Sequence, residues 1–104
     1  MFIVIWKYDV MEGKSRQDLI DAAKADAQDY LGVPGLIQKA YGISPDHKSV
    51  SEIYLWKTKG DADRFFDREW DGAAGRRWES ALMTRQDLEV PVIADSESKR
   101  LVSG

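Results

Sequence analysis

Apolar and polar positions along the first ten residues have the pattern typical of a β-strand. Residues 2–10 are rich in β-branched and aromatic side chains, and both alternating sets of positions are largely apolar, which indicates burial on both faces. Residues 36–44 and 50–58 are the next predicted strands, and the short turn between them, rich in Ser, Pro and Asp, predicts an antiparallel hairpin. Residues 88–94 alternate as a last strand, although Pro91 cannot donate a ladder hydrogen bond.

Two segments have the spacing of amphipathic helices. The first begins after Ser15, a favourable N-cap with Asp18 three residues later, and continues to Leu31, with Asp26 on its outer face. Gly32 is placed to end this helix. The second opens at residues 60–63, and Gly72 and Gly75 within it predict a kink. Its apolar stripe comprises Phe65, Phe66, Trp70, Ala74, Trp78, Ala81 and Leu82.

The predicted order of elements is β-α-β-β-α-β. Right-handed crossovers of that order give a ferredoxin-like α+β fold, with a four-stranded antiparallel sheet and two helices on one face. Because the first and third strands are apolar on both faces, we expect the open face to be buried as well. Two sheets packed face to face in a homodimer achieve this and form a dimeric α+β barrel. Residues 1–94 are expected to form this domain, and residues 95–104 a polar tail that is loose or lies on the partner.

Composition excludes several classes of function. The 104 residues make one domain, and the net charge of −3, with Lys and Arg spread along the chain, argues against nucleic acid as a partner. No apolar run approaches the ~20 residues of a membrane span, and no signal peptide is recognisable, so we expect a cytoplasmic protein with no membrane partner. Cysteine is absent and the one histidine, His47, lies in the hairpin turn, so no metal site is predicted.

Three segments resemble a known family. They are PGLIQK at residues 34–39, EIYLWK at residues 52–57, and a helix containing FF at 65–66 and EW at 69–70. Over residues 2–92 the chain resembles the YdhR-type monooxygenases of the dimeric α+β barrel superfamily, which includes the antibiotic-biosynthesis monooxygenases. The resemblance implies a homodimer with a pocket between sheet and helices in each subunit. Characterised members oxidise aromatic polyketide-like substrates without metal or flavin, cyclise such chains, or degrade haem.

Aromatic side chains are the candidate walls of that pocket. Trp6 and Tyr8 share one face of the first strand, and Tyr54 and Trp56 share one face of the third, its expected neighbour, so the four should stand side by side. The alternative is that these side chains pack as core against the helices or the partner sheet. The full candidate substrate-binding set is Trp6, Tyr8, Tyr41, Trp56, Phe66, Trp70 and Trp78.

Lys39 is the most informative charged residue, because it lies in the middle of a predicted strand. Facing the cavity, it could hold an anionic enolate, phenolate or carboxylate, with Lys39 or a tyrosine such as Tyr54 handling the proton. The alternatives are an exposed lysine, or an ion pair with Glu52 across the hairpin. Haem degradation is disfavoured, because it relies in this superfamily on a histidine in the second helix, and residues 67–82 contain none.

The leading hypothesis is a cofactor-independent monooxygenase that acts on a small aromatic or polyketide-like substrate. Lys39 and Tyr54 are its candidate catalytic residues, and no cofactor is expected. Two alternatives remain open from the sequence. One is a polyketide cyclase or isomerase that uses the same parts, and the other is a non-catalytic ligand-binding dimer.

Overall fold

A computed structural model describes residues 1–68 and 83–104, and it has the predicted ferredoxin-like arrangement. The main sheet has the strand order β2-β3-β1-β4, and each neighbouring pair is antiparallel. Within these residues the elements follow the order β1 (Phe2–Asp9), α1 (Arg16–Ala27), a 3-10 helix (Gln28–Tyr30), β2 (Leu36–Ile43), β3 (Ser49–Trp56), α2 (Lys59–Arg68), β4 (Met83–Glu89), β5 (Val92–Asp95) and β6 (Arg100–Ser103).

The start of α1 has the capping box that the sequence predicts. The Ser15 hydroxyl accepts a hydrogen bond from the Asp18 N–H at 3.1 Å, and the Asp18 carboxylate accepts one from the Ser15 N–H at 3.0 Å. These bonds satisfy two of the donors that a helix leaves unpaired at its first turn. After the 3-10 helix, Gly32 adopts a φ of 85°, a conformation that glycine takes without steric cost. The chain then turns into β2.

One face of the sheet packs against the helices and forms the core. The register pairs Val4 with Tyr54 and Trp6 with Glu52, so alternate residues of β1 and β3 share this face. Trp6, Tyr8, Tyr54 and Trp56 therefore lie on the same face, as the sequence predicted. The buried apolar residues on this side are Phe2, Val4, Tyr8, Val50, Tyr54 and Trp56 from the strands, Leu19 from α1, and Ala62, Phe65 and Phe66 from α2.

The opposite face of the sheet carries apolar side chains that no described helix covers. Ile5 of β1 lies directly across from Ile53 of β3, and Ile3 lies across from Leu55. Leu88 of the edge strand β4 joins them on this face and is 42% exposed. An apolar sheet face of this kind is the surface that the sequence pattern assigns to a homodimer.

The C-terminal end differs from the sequence prediction. The expected single strand over residues 88–94 is wrong, because the chain is divided there into β4 and β5 by Val90 and Pro91. Pro91 has no N–H to donate to a ladder, and the Val90 N–H donates instead to the Met1 carbonyl at 2.9 Å. Residues 95–104, expected as a polar tail, contain a turn and β6, which pairs antiparallel with β5. In the two described segments, no helix is long and apolar enough to cross a membrane.

Candidate functional site

Three charged side chains meet in the interior between α1 and the sheet. The Lys39 Nζ lies 2.8 Å from Oδ2 of Asp26 and 2.5 Å from Oε1 of Glu52. The exposed fractions of the three side chains are 2% for Lys39, 1% for Asp26 and 0% for Glu52. Of the alternatives that the sequence left open for Lys39, the cross-hairpin pair with Glu52 is the one observed. Charged groups this deeply buried are rare unless they are paired.

A β-bulge puts Lys39 on the inner side of the sheet. Leu36 pairs with Trp56 and Gln38 pairs with Leu55, so β2 gains one residue between these pairs. With regular alternation from Leu36, Lys39 would point to the open face. The bulge reverses that parity, so Lys39 lies opposite Tyr54, on the side of the sheet that faces the helices.

Asp26 is buried, and its predicted place on the outer face of α1 is wrong. It is only 4% exposed, and it lies in the last turn of α1, where that helix passes over β2. Its Oδ2 accepts hydrogen bonds from Lys39 and from the Tyr41 hydroxyl. Two donors on β2 therefore compensate the carboxylate for its lost hydration.

Three tyrosine rings surround the Lys39 ammonium. Its Nζ lies 3.4 Å from the ring centroid of Tyr30, 4.5 Å from that of Tyr54 and 4.7 Å from that of Tyr41. These distances are within the range of cation–π attraction, which is strongest when the cation is desolvated. The Tyr54 hydroxyl donates to the Tyr30 hydroxyl at 3.4 Å. We call these residues the Lys39 cluster; its members are Lys39, Asp26, Glu52, Tyr30, Tyr41 and Tyr54.

Burial shifts the proton affinities in this cluster. It lowers the pKa of Lys39, while the adjacent Glu52 and Asp26 carboxylates oppose that shift. Burial also raises the pKa of Tyr41, with a further contribution from its hydrogen bond to Asp26, and raises the pKa of Tyr54, with a further contribution from the charge of Glu52. Both phenols therefore keep their protons at neutral pH. They can donate hydrogen bonds to an anion, but they cannot serve as resting bases.

An opening beside the cluster has a volume of about 300 Å³. Tyr30, Lys39 and Tyr41 contribute to its wall, together with the amide-bearing Gln38. A concave, largely apolar site with a few convergent polar groups is typical of small-molecule pockets, and this volume is at the lower end of their range. The remaining lining residues are Ala27, Leu31, Gly32, Leu36 and Ile37.

A second group of aromatic residues lies toward the other edge of the sheet. Trp6 and Phe66 contact edge to face, with 5.9 Å between ring centroids. The Arg85 guanidinium lies 4.9 Å from the Phe66 ring centroid and 5.5 Å from that of Trp6. Two hydrogen bonds of 2.7 and 3.2 Å join Arg85 to Asp87. A half-buried tryptophan beside a guanidinium offers both a stacking surface and a cation.

The structure brings together some of the predicted site residues and separates others. Lys39, Tyr41 and Tyr54 share the Lys39 cluster, and Trp6 contacts Phe66. Trp56 is fully buried among Tyr54, Phe65 and Phe66, while Tyr8 lies in another buried group with Leu19 and Val50. Trp70 and Trp78, with the kink predicted at Gly72 and Gly75, lie outside the described residues.

The predicted site residues did not include Asp26, Tyr30 or Arg85. For the first two a signal was available. Asp26 and Tyr30 are four residues apart, a spacing that aligns two side chains along a helix, and Tyr30 belonged to the predicted apolar stripe of α1. Arg85 had no such signal, because it lies just after a stretch that the sequence pattern assigns to the second helix.

Solved structures with the same fold include two oxygenases and a third protein that is proposed to be one. A proposed antibiotic biosynthesis monooxygenase from Deinococcus radiodurans is 12% identical, with 86% of this chain and 92% of that chain covered and a TM-score of 0.64. A variant of SnoaB, a cofactor-independent oxygenase from Streptomyces nogalater, is 11% identical, with 86% and 91% covered and a TM-score of 0.66. A monooxygenase from the gene ActVA-Orf6 of Streptomyces coelicolor, in complex with nanaomycin D, is 17% identical, with 84% of each chain covered and a TM-score of 0.65.

These similarities extend over most of each chain, so the fold is that of the antibiotic-biosynthesis monooxygenases. At such low identity the comparison is one of fold, and many functions can share one fold. No protein-family model matches the sequence, and no curated protein matches it.

Proposed function

We propose that this protein is a cofactor-independent monooxygenase acting on a small aromatic or polyketide-like substrate, and that the Lys39 cluster handles the proton and the negative charge of that reaction. The observation that carries the proposal is the cluster itself. It combines an ammonium, two carboxylates and protonated phenols in the interior of the protein, beside an opening of about 300 Å³. The fold shared with a cofactor-independent oxygenase adds support.

The reaction needs only the substrate and molecular oxygen. An electron-rich aromatic with an acidic CH₂ group loses a proton to a carboxylate, and the carbanion passes one electron to O₂. The two radicals then combine to form a C–O bond, and the peroxide takes the proton from the carboxylic acid. Loss of water breaks the O–O bond and leaves a carbonyl. Overall, one CH₂ and one O₂ give one C=O and one H₂O, so the substrate carbon is oxidised and oxygen is reduced.

Each residue of the cluster has its own proposed role in this reaction. Asp26 or Glu52 accepts the proton, and Lys39 lowers the energy of the anion electrostatically, since charge is stabilised most strongly in a site without water. Tyr54, whose hydroxyl donates to Tyr30 in this structure, is proposed to redirect that hydrogen bond to the developing oxyanion, and its raised pKa keeps the hydroxyl protonated. Tyr41 contributes aromatic surface at the opening, and Trp6 with Phe66 is proposed to extend that surface toward the other edge of the sheet. Trp56 and Tyr8 support it from the core. Trp70 and Trp78 are proposed to complete the pocket.

We also propose that the protein acts as a homodimer, formed through the apolar open face of the sheet. Ile5 and Ile53 lie at the centre of that face, and burying an isoleucine side chain contributes about 1.5 to 3 kcal/mol. Light scattering coupled to size exclusion should give the mass of two chains for the unmodified protein. Ile53→Lys should give the mass of one chain, while Lys59→Met, an exposed substitution on α2 away from that face, should still give the mass of two chains. A monomeric unmodified protein would contradict the proposal.

Two other functions follow from specific observations. Deprotonation of the same substrate without oxygen would lead to cyclisation or isomerisation, and the cluster contains the groups for that step. The mutual pairing of Lys39, Asp26 and Glu52 favours a non-catalytic ligand-binding dimer, because each charge in the set already has a partner. Oxygen uptake separates the first alternative from oxygenation, and turnover of any kind excludes the second.

The test uses an oxygen electrode and a 1,8-dihydroxyanthrone, whose central CH₂ is acidic and whose product quinone absorbs visible light. The unmodified protein should consume oxygen and form quinone in equal amounts, above the spontaneous rate. Tyr54→Phe removes one hydroxyl and should lower kcat at least about tenfold. Lys59→Met, at an exposed position outside the cluster, should leave kcat unchanged. The absence of enzymatic oxygen uptake across a panel of anthrones and hydroquinones would overturn the proposal.

A further inference from the structure

We infer that Lys39 forms an imine with small neutral carbonyl compounds that enter the adjacent opening, an activity distinct from the proposed oxygenation. Lys39 contributes to the wall of an opening of about 300 Å³, and two carboxylates lie within 2.8 Å of its nitrogen. A primary amine, proton acceptors and space for a small ligand are the three parts that imine formation requires.

The first requirement is a neutral amine, since only the unprotonated form attacks a carbonyl carbon. Enclosure by three aromatic rings removes water from the Lys39 nitrogen. Burial accordingly lowers the pKa of Lys39, although the neighbouring carboxylates oppose the shift. Lysines that are desolvated in this way form Schiff bases in other enzymes, because their stem is flexible and their charge is easily lost on burial.

The second requirement is proton transfer, and the carboxylates supply it. The ammonium gives a proton to Asp26, and the neutral nitrogen forms a bond to the carbonyl carbon. The carboxylic acid returns that proton to the new alkoxide, which gives a carbinolamine. A second proton passes from nitrogen through a carboxylate to the hydroxyl, and water leaves. One ammonium and one carbonyl thus give one iminium ion and one water, with no change of oxidation state.

The charge and lining of the site define the class of ligand. The described cluster holds two carboxylates and one ammonium, so an anionic carbonyl compound such as a keto acid would meet a net negative charge. The opening is lined by four aliphatic side chains together with the Gln38 amide, the Lys39 side chain and the Tyr30 and Tyr41 phenols. Neutral ketones and β-diketones fit this combination better than keto acids do.

The imine would give the cluster a further chemical capability. An iminium ion withdraws electrons from the neighbouring carbon, so a C–H bond there loses its proton more readily than in the free ketone. Asp26 and Glu52 are the groups placed to accept that proton. Carbon–carbon bond formation or isomerisation next to a carbonyl is therefore the class of reaction that this lysine could support, and it consumes no oxygen.

The experiment exposes the unmodified protein to acetylacetone under nitrogen. This β-diketone forms a stable, ultraviolet-absorbing enaminone with amines, and peptide mass spectrometry then locates the adduct. Lys39 should be labelled at least about tenfold faster than Lys59, since only the neutral amine adds to a carbonyl. The rate at Lys39 should also reach its plateau at a lower pH than the rate at Lys59, which is exposed and paired with Asp63. Pyruvate with cyanoborohydride should label Lys39 more slowly than acetone with the same reductant.

Lys39→Met should lose the rapid labelling by acetylacetone, and Lys59→Met should retain it. The main comparison is made within the unmodified protein, so it does not depend on whether Lys39→Met folds. Labelling of Lys39 no faster than that of Lys59, or a plateau at the same pH, would overturn the inference. Because oxygen is excluded, the result is independent of whether the protein is an oxygenase.

Discussion

Replacing Lys39 by methionine tests whether the buried cluster contributes to stability as its geometry indicates. Methionine keeps much of the aliphatic length and removes the ammonium, so Asp26 and Glu52 lose the cation 2.8 and 2.5 Å away. At most 2% of either carboxylate or of the lysine is exposed. Water therefore solvates these carboxylates poorly, and two negative charges remain in the interior.

The expected magnitude is set by these contacts. Removing one partner of a buried ion pair costs about 3 to 5 kcal/mol, because the other charge stays buried and uncompensated. The cation–π contacts with Tyr30 and its neighbours are lost as well, while the apolar methionine offsets part of that loss. Domains of this size have a free energy of unfolding of about 5 to 15 kcal/mol. Lys39→Met should thus remove a large share of it and lower Tm by about 15 °C or more.

The measurement is urea unfolding followed by circular dichroism, with thermal melts in parallel. Lys59→Met is the matched control, because Lys59 is 66% exposed and its pair with Asp63 lies at the surface; it should change stability little. The double variant Lys39→Met with Glu52→Gln should recover part of the loss, since it removes one of the uncompensated charges. A Lys39→Met protein as stable as Lys59→Met would refute the reasoning, because the buried pairs would then contribute nothing.

Three further predictions concern the same structure. Tyr41→Phe removes a hydroxyl that donates to Asp26, so it should lower the free energy of unfolding by about 1.5 to 3 kcal/mol, the range for hydrogen bonds to charged groups. Tyr54→Phe should lower it by less, because the hydroxyl contact of Tyr54 is 3.4 Å long; the reverse order in urea melts would contradict this. Gly35→Ala should lower the free energy of unfolding more than Gly32→Ala does. Both glycines have positive φ, but of the two only Gly35 would place a Cβ against the Asp61 side chain. Equal losses of stability would show that Asp61 moves aside without cost. Between the lowered pKa of Lys39 and the value of 10.5 for an unperturbed lysine, the unfolded chain binds more protons at this position than the folded chain, so unfolding free energy should rise with pH by up to about 1.4 kcal/mol per pH unit. The neutral amine still donates hydrogen bonds to the carboxylates, whereas methionine donates none, so Lys39→Met should be less stable and should also lack this rise; parallel pH profiles of the two proteins would contradict the assignment.

Local signals in the sequence were sufficient to predict the fold. Alternation and helical spacing identify the elements, Ser15 and Asp18 mark the start of α1, and the short turn before β3 predicts the hairpin with β2. Each of these signals acts between residues close in sequence. The shared face of Trp6, Tyr8, Tyr54 and Trp56 was also predictable, since strand parity is preserved wherever the ladder is regular. Which face of the sheet meets the helices was not predictable, because β1 is apolar on both faces.

The Lys39 cluster could not be predicted to the same extent, because it depends on relations between distant elements. Asp26 was predicted to lie on the outer face of α1, but it is buried, and its carboxylate is compensated by donors from β2, thirteen and fifteen residues away. The end of β4 was misplaced because residues 88–94 alternate as a strand would, while the missing N–H of Pro91 and the bond from Val90 to Met1 divide them. The pattern of polar and apolar residues does not show hydrogen bonds between residues that are distant in the sequence.

The β-bulge in β2 has a consequence for how this site could arise and disappear. Because the extra residue between Leu36 and Gln38 sets the parity of the later residues of β2, deletion of a single codon there would turn Lys39 toward the open face of the sheet. Asp26 and Glu52 would lose their cation in the same event, with the three charged side chains still encoded. Among distant relatives, a gap of one residue at this position would therefore separate chains that can build the cluster from chains that cannot. The length of one edge strand, rather than the identity of its lysine, is the heritable feature to compare.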